Sequence, residues 1–145
     1  MIVDYIYDRL SSAKHPENFV FEILENEEIE DYDEIITFVD MIHELGGKIS
    51  IDDFGSGYSN LQHVANIHCD YLKIDGSIVK NCCTDEQSEN LIALIAGWKT
   101  ISTSKFKIIA EFVENKEIQE LITGYGIDFS QGYLFSKPAP EPINM

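Results

Sequence analysis

Short apolar β-type runs alternate with stretches of helical periodicity along this sequence, and this alternation constrains the fold most. One helical stripe contains Ile35, Val39 and Ile42, and the two glycines at 46–47 end it. The β-type runs occupy 19–24, 48–53, 71–75, 107–111 and 127–133. Because helices that separate successive strands are typical of βαβ units, the pattern predicts an α/β fold with about five parallel strands and flanking helices.

Each β-type run ends in polar residues that can bind ions or take part in chemistry. They are Glu22 and Glu25, Asp52 and Asp53, Lys73 and Asp75, Glu111 and Glu114, and Gln131. Any one of them alone is adequately explained as a solvated strand end, because burying a carboxylate costs free energy only where water is excluded. Together they favour a shared site, since the catalytic residues of (β/α) barrels gather at the carboxyl ends of the strands.

Clustered carboxylates with a single lysine indicate a site for divalent cations, for which Mg²⁺ and Mn²⁺ are the natural choices. Lys73 also has a simpler interpretation as the ion-pair partner of Asp75. Two residues separated by one position face the same side of a strand, so this pairing is geometrically available. Both interpretations of Lys73 stay open at the level of the sequence.

Charge and hydropathy exclude several classes of function. The 145 residues include 26 acidic and 10 basic side chains, which give a net charge of -16. This balance argues against a nucleic-acid polymer as partner, because such binding needs a basic face. No apolar run approaches the roughly 18 to 20 residues of a membrane span, so we expect no direct membrane insertion. The three cysteines include the neighbours Cys82 and Cys83, a poor disulfide framework that favours a cytoplasmic location.

Five motifs together resemble the EAL-domain family, phosphodiesterases that hydrolyse cyclic di-GMP. The motifs are FEILE at 21–25, DDFGSGYSNL at 52–61, DYLKIDG at 70–76, AEFVE at 110–114 and QGYLFSKP at 131–138. The resemblance extends from about residue 2 to residue 138, and the pairing of the second and third motifs is its most specific part. It implies a TIM-like (β/α) barrel and the hydrolysis of cyclic di-GMP to linear pGpG.

The resemblance also implies a set of metal ligands for two Mg²⁺ or Mn²⁺ ions in a complete site. Glu22 corresponds to a ligand of the first metal, and Asp52 to the carboxylate that bridges both metals. Asp53 and Glu111 correspond to ligands of the second metal. Two such cations would activate a water molecule and neutralise the phosphodiester, which is the general logic of two-metal hydrolysis.

Further roles follow from the resemblance for residues around these ligands. Lys73 corresponds to the lysine that contacts the attacking water or the phosphate oxygens, and Gln131 to the glutamine near the metal-bound solvent. With Glu111, these two form the expected catalytic set. Glu25 corresponds to the glutamate that stabilises the 53–61 loop, and Asp75 and Glu114 are expected beside the site.

A complete (β/α)₈ barrel typically needs about 250 residues, whereas this sequence supplies about five strands. We therefore expect residues 1–145 to be the C-terminal part of a single EAL-type domain, a partial barrel that is not closed on its own. The family's first-strand glutamate and second-strand asparagine have no counterparts here, so we expect the 145-residue polypeptide alone to be inactive. Because an unpaired strand edge invites another chain, a homodimer or a strand-swapped assembly is expected.

Two alternatives and one departure from the family pattern complete the prediction. Phe112 stands where the family usually has glycine, which puts the packing beside Glu111 in question. A non-catalytic module that binds cyclic di-GMP or a signalling partner is one alternative, and a structural or vestigial product is the other. The adjacent carboxylates of Asp52 and Asp53 favour the enzyme, because a pure interaction surface does not need them.

Overall fold

The computed structural model describes residues 1–24, 31–56, 61–103 and 105–141, which contain five strands and six α-helices. The strands are β1 (Val20–Leu24), β2 (Lys48–Phe54), β3 (Tyr71–Ile74), β4 (Lys107–Ala110) and β5 (Phe129–Ser130). The helices are α1 (Ile2–Ser11), α2 (Tyr32–Glu44), α3 (Leu61–Asn66), α4 (Gly76–Asn81), α5 (Glu86–Ile101) and α6 (Lys116–Gly124). A short 3₁₀ helix at Pro16–Asn18 leads into β1.

The five strands form one sheet in the order β1-β2-β3-β4-β5, and every neighbouring pair is parallel. The predicted α/β fold with parallel strands and flanking helices is therefore confirmed. Because all strands run in the same direction, their carboxyl ends lie along a single edge. Within the described residues, β1 and β5 each pair on one side only, so the sheet is not closed.

The hydrophobic core lies between the sheet and the helices. On the sheet side Ile51, Leu72 and Ile108 are fully buried, and on the helix side Ile42 and Ile92 are fully buried too. Alternation along each strand directs these side chains to one face and leaves the intervening residues on the other. That other face is where the polar side chains of the site are found. None of the described helices combines the length and apolarity needed to cross a bilayer.

Side-chain caps define where the helices begin. Asp31, Asp85 and Asn115 each accept a backbone N–H bond at the start of α2, α5 and α6, respectively. Such caps satisfy N–H groups that have no partner in the first helical turn, and each contributes about 1 kcal/mol. The short helix α4 begins in the same way, with Asp75 as its cap.

Two aspartates anchor the amino-terminal edge of the sheet. Asp70 precedes β3 and accepts hydrogen bonds of 2.8 Å from the Ile49 N–H and from His43 Nε2. Asp128 precedes β5 and accepts a bond of 2.8 Å from the Ile108 N–H, together with an ion pair from Lys99. Burial alone would raise the pKa of both carboxyls, but these bonds outweigh it and hold each pKa below its ordinary value.

The fifth strand is shorter than the predicted run at 127–133. After Ser130 the chain passes close to Val113, whose N–H donates to the Gln131 carbonyl at 3.0 Å. A Cβ on Gly132 would lie 2.3 Å from the Val113 carbonyl oxygen, so only glycine permits this approach. The crossing ends the strand at Ser130 and turns the following segment across the carboxyl edge of the sheet.

The face of β1 that would point into a closed barrel is exposed. Val20 and Leu24 are 46% and 40% exposed, although both are apolar, and Phe19 before them is 50% exposed. The Glu22 side chain lies between them on the same face. Apolar side chains on an inner face are ordinarily covered, so this part of the sheet presents the open side of the partial barrel.

Candidate metal centre

The buried ammonium of Lys73 lies among three carboxylates at the carboxyl edge of the sheet. Its Nζ is 2.9 Å from Glu22 Oε1, 3.2 Å from Asp52 Oδ1 and 2.9 Å from Glu111 Oε1. These partners come from β1, β2 and the residue directly after β4, while Lys73 itself lies on β3. The parallel register thus brings four predicted site residues together from four separate segments of the chain.

The charge of Lys73 is stabilised by these partners. Burial by itself lowers the pKa of an amine, but the hydrogen bonds with Glu22, Glu111 and Asp52 outweigh it and raise the pKa of Lys73 above its ordinary value. The side chain therefore stays cationic throughout the physiological pH range. Asp75, the partner that the sequence left open for Lys73, instead accepts hydrogen bonds from the N–H and hydroxyl of Ser77.

An irregularity in β2 directs two adjacent carboxylates toward the same site. The pairing of β2 with β3 shifts between Ile51 and Phe54, and Asp53 there has a φ of +54°. In a regular strand Asp52 and Asp53 would face opposite sides, but the bulge re-aims the second side chain. Aspartate tolerates this left-handed conformation better than most residues, and the Asp53 N–H donates to Asp52 Oδ1 at 2.9 Å.

Asp52, Asp53 and Glu111 form an acidic cluster in which one oxygen of each residue lies within 4.8 Å of the others. Burial raises the pKa of Asp53, and the charges of Asp52 and Asp75 raise it further. Burial also raises the pKa of Glu111, although Lys73 opposes this shift. Carboxylates this close together repel one another, and a bound cation would relieve that repulsion.

The residues of this cluster fit a divalent metal ion. Three half-buried carboxylates supply only oxygen atoms, the donors that Mg²⁺, Mn²⁺ and Ca²⁺ prefer. Lys73 carries one positive charge, whereas the carboxylates around it carry more than one negative charge, so the site keeps a net negative charge. The Glu22 side chain is 48% exposed and sits on the open side of Lys73, separate from the three clustered residues.

A cavity of about 420 Å³ lies beside the acidic cluster and is lined by two further predicted residues. Glu111 forms part of both the cluster and the cavity wall, and Glu114 and Gln131 line the same cavity. The remaining lining residues are Lys80, Phe112, Gly132, Tyr133 and Pro138. The predicted residue Glu25 lies outside the described residues.

Sequence reasoning missed two features of this site. The bulge at Asp53 cannot be derived from strand periodicity, although an aspartate pair followed closely by Gly55 is a signal of an irregular strand end. Lys80 and Tyr133 in the cavity wall were not predicted as site residues either. Tyr133 belongs to the segment that Gly132 directs across the sheet, so a long-range backbone contact decides its position.

An open parallel β/α sheet with an acidic, cation-type site at the carboxyl ends of its strands defines a domain of the (β/α)-barrel class. The comparison with known families is more specific, because the EAL domain matches residues 1–138. The chain belongs to the EAL-domain family.

Similar proteins share this assignment. The chain is 36% identical over 121 residues to "Cyclic di-GMP phosphodiesterase PdeF" of Escherichia coli (strain K12), which covers 83% of this chain and 16% of that protein. An EAL domain protein from Listeria monocytogenes has a TM-score of 0.84 at 30% identity, covering 95% of this chain and 54% of that one. The chain thus spans about half of the solved Listeria chain and a smaller part of the E. coli relative.

A second similar structure carries both a metal and a nucleotide. Klebsiella pneumoniae BlrP1, solved as a manganese and cyclic di-GMP complex, has a TM-score of 0.81 at 28% identity. It covers 94% of this chain, which spans 34% of BlrP1. The same protein is also known as a calcium and cyclic di-GMP complex. Divalent metals therefore accompany the nucleotide in a protein of this fold.

Proposed function

We propose that residues 1–145 form the C-terminal part of a single EAL-type domain that hydrolyses cyclic di-GMP to linear pGpG. The observation that carries the proposal is the convergence of Asp52, Asp53 and Glu111 around one point, with Lys73 beside them. A structural role alone does not require three mutually repelling carboxylates at the edge of a core. The choice of cyclic di-GMP as the substrate rests on the similarity to cyclic di-GMP phosphodiesterases.

The assignment to part of a domain has separate support. The chain spans 54% of the Listeria EAL chain, and its sheet has five strands in place of a closed barrel. The exposed apolar residues Val20 and Leu24 lie where a barrel interior would be covered. Both observations fit a chain that shares its barrel with further strands.

Four carboxylates would hold the two cations of a complete site. Asp53 and Glu111 would bind one Mg²⁺ or Mn²⁺, Glu22 would bind the other, and Asp52 would bridge them. When bound, such cations supply an activated water and neutralise charge on the phosphodiester. Asp52 has the central position among these residues, since its carboxylate contacts Lys73 and the Asp53 N–H.

The residues of the chain itself orient the substrate. Lys73, cationic at neutral pH, offers a fixed positive charge to a phosphate oxygen or to the attacking water. Gln131 presents an amide from the cavity wall beside Glu111, where it can orient the same water. Glu114 and Asp75 contribute negative charge around the site, and Glu25 would stabilise the loop that follows Asp53.

The test is formation of pGpG from cyclic di-GMP in the presence of Mg²⁺ or Mn²⁺, followed by ion-exchange chromatography. Within a complete EAL-type domain, Asp52→Asn and Lys73→Ala should each abolish the product. Asp40→Asn changes an exposed carboxylate on α2 and serves as the matched control. Full activity in both site variants would refute the assignment of these residues.

The 145-residue polypeptide assayed alone should form little or no pGpG. Its Glu22 side chain is 48% exposed, so the first-metal side of the site is open to solvent. A water-filled site weakens the electrostatic interactions that neutralise a phosphodiester. Rapid pGpG formation by this polypeptide would contradict the partial-site argument.

The same open side favours a second candidate function, a non-catalytic module that binds cyclic di-GMP or a signalling partner. Such a module needs the cavity and Lys73 but not a complete metal set. Tight binding of cyclic di-GMP, with no pGpG formed in the presence of Mg²⁺ or Mn²⁺, would support this function. Asp52→Asn would then leave affinity largely unchanged, whereas the enzyme loses turnover.

Assembly and location complete the proposal. The edge of β1 that pairs with no strand of the described residues can accept one from a second copy, which would give a homodimer or a strand-swapped assembly. The thiols of Cys69, Cys82 and Cys83 are free, which agrees with a reducing cytoplasm. Sedimentation that shows a compact monomer would count against the assembly.

A further inference from the structure

Phe112 lines the cavity but has no role in the proposed reaction. It directly follows Glu111, and its backbone has a φ of +58°, in the left-handed region. A side chain with a Cβ is strained in this conformation, whereas glycine adopts it freely. Strained residues are retained at binding and active sites where the surrounding structure holds them in place.

The surroundings of Phe112 hold its ring against backbone on one side. A Cβ added to Gly76 would lie 2.1 Å from Phe112 Cδ2, so the ring occupies the space that a larger residue at the start of α4 would need. Despite this contact, Phe112 is 64% exposed. The ring therefore has a supported side and a free side.

The free side belongs to the cavity next to the acidic cluster. Phe112 and Tyr133, each 64% exposed, line this cavity together with Glu111. Its volume of about 420 Å³ lies within the range of small-molecule sites. A ligand whose phosphate lies near Lys73 and Glu111 would extend its base toward the two aromatic rings.

We propose that Phe112 is a specificity-determining residue on which one guanine base of the substrate stacks. The inference rests on the proposed function, because cyclic di-GMP provides both the phosphodiester and the base. Stacking on an aromatic ring desolvates the exposed apolar face and uses the planar π-surface of the purine. The contact lies one residue from Glu111, so it would fix the base and the phosphodiester relative to each other.

The left-handed conformation makes Phe112→Gly a sharp test, because this variant removes the ring and relieves the backbone strain. Its melting temperature should equal or exceed that of the unsubstituted chain. Its dissociation constant for cyclic di-GMP should rise roughly 5- to 150-fold, the range that corresponds to the loss of one base–aromatic stack. Phe112→Trp should retain binding. Phe135→Ala removes a ring that is 56% exposed but does not line the cavity, and should not change the affinity.

Binding is measured by calorimetry in EDTA with two probes, cyclic di-GMP and GMP, so that metal binding and hydrolysis do not contribute. Equal affinities for the unsubstituted chain and Phe112→Gly would overturn the stacking role and leave the phosphodiesterase proposal intact. Binding of neither probe to the unsubstituted chain would also overturn the stacking role. Weaker binding of both probes to Phe112→Gly, together with no pGpG from a complete domain, would support stacking and refute the phosphodiesterase.

Discussion

Lys73→Met tests whether the Lys73 ammonium and a divalent cation neutralise the same acidic cluster. Methionine keeps the length and most of the volume of the lysine stem, so the substitution removes the charge without opening a large cavity. Asp52, Asp53 and Glu111 then lose the only cation that the described residues place among them. Without metal the three carboxylates repel one another, and with metal the repulsion is relieved.

The magnitude follows from the burial of the three ion pairs. Lys73, Asp52 and Glu111 have side chains that are 9%, 14% and 12% exposed, so two of the pairs are nearly buried. Removing one partner of a buried pair costs about 3–5 kcal/mol, whereas the half-exposed pair with Glu22 contributes at most about 1 kcal/mol. We expect a loss near the lower limit, about 3 kcal/mol, because the carboxylates can take up protons. For a chain of this size that loss lowers the melting temperature by roughly 10 °C.

The assay is thermal unfolding followed by circular dichroism, once in EDTA and once in excess Mn²⁺. Lys73→Met should lose stability in EDTA and recover most of it in Mn²⁺. Lys99→Met is the matched control, because Lys99 pairs with Asp128 at 2.6 Å at the other edge of the sheet. Its loss should be the same in both solutions.

Two results would refute this reasoning. The first is a melting temperature of Lys73→Met in EDTA within a few degrees of the unsubstituted chain, which would mean that the ion pairs contribute nothing net. The second is an equal loss in EDTA and in Mn²⁺, which would separate the metal from the acidic cluster.

Two further predictions concern the fold. Gly132→Ala should destabilise the chain by about 3 kcal/mol, because the added Cβ would collide with the Val113 backbone. Gly97→Ala in α5 should stabilise the chain by roughly 0.5–1 kcal/mol, because a Cβ added there has no atom within 4 Å. Equal urea midpoints for the two variants would contradict the close approach of Gly132 to Val113. Asp70→Asn should cost about 1–3 kcal/mol at pH 7. Because the folded pKa of Asp70 lies below the unfolded value near 3.9, this contribution is present above that pH and is lost as the pH falls through the folded pKa. The difference between Asp70→Asn and the unsubstituted chain, measured by urea unfolding, should therefore shrink below about pH 4, and a constant difference would show that Asp70 does not act through its charge.

Most of the fold could be predicted from local patterns. The runs at 71–75 and 107–111 correspond to the observed Tyr71–Ile74 and Lys107–Ala110, because alternation of apolar residues is a property of the strand itself. The fifth run was overestimated because its end depends on the contact between Gly132 and Val113, which lie far apart along the chain. Local periodicity carries no information about such a contact.

The candidate site was predicted in part for the same reason. Asp52 and Glu111 lie at the ends of apolar runs and Glu22 lies within one, and parallel strands were expected to bring all three to a common site. The direction of Asp53 depends on a shift of register against β3, which no alternation rule contains. Glu114 and Gln131 lie in the cavity because the chain after Ser130 turns across that edge.

The sequence by itself determined which acidic and basic side chains this protein can bring to a site. It also determined the order along the chain of the strands that carry them. Only the tertiary structure decided that Lys73 pairs with Glu22, 51 positions away, and that Phe112 lies over Gly76. The physical reason is range: periodicity and capping act over a few residues, whereas ion pairs and ring contacts form between segments that only folding brings together.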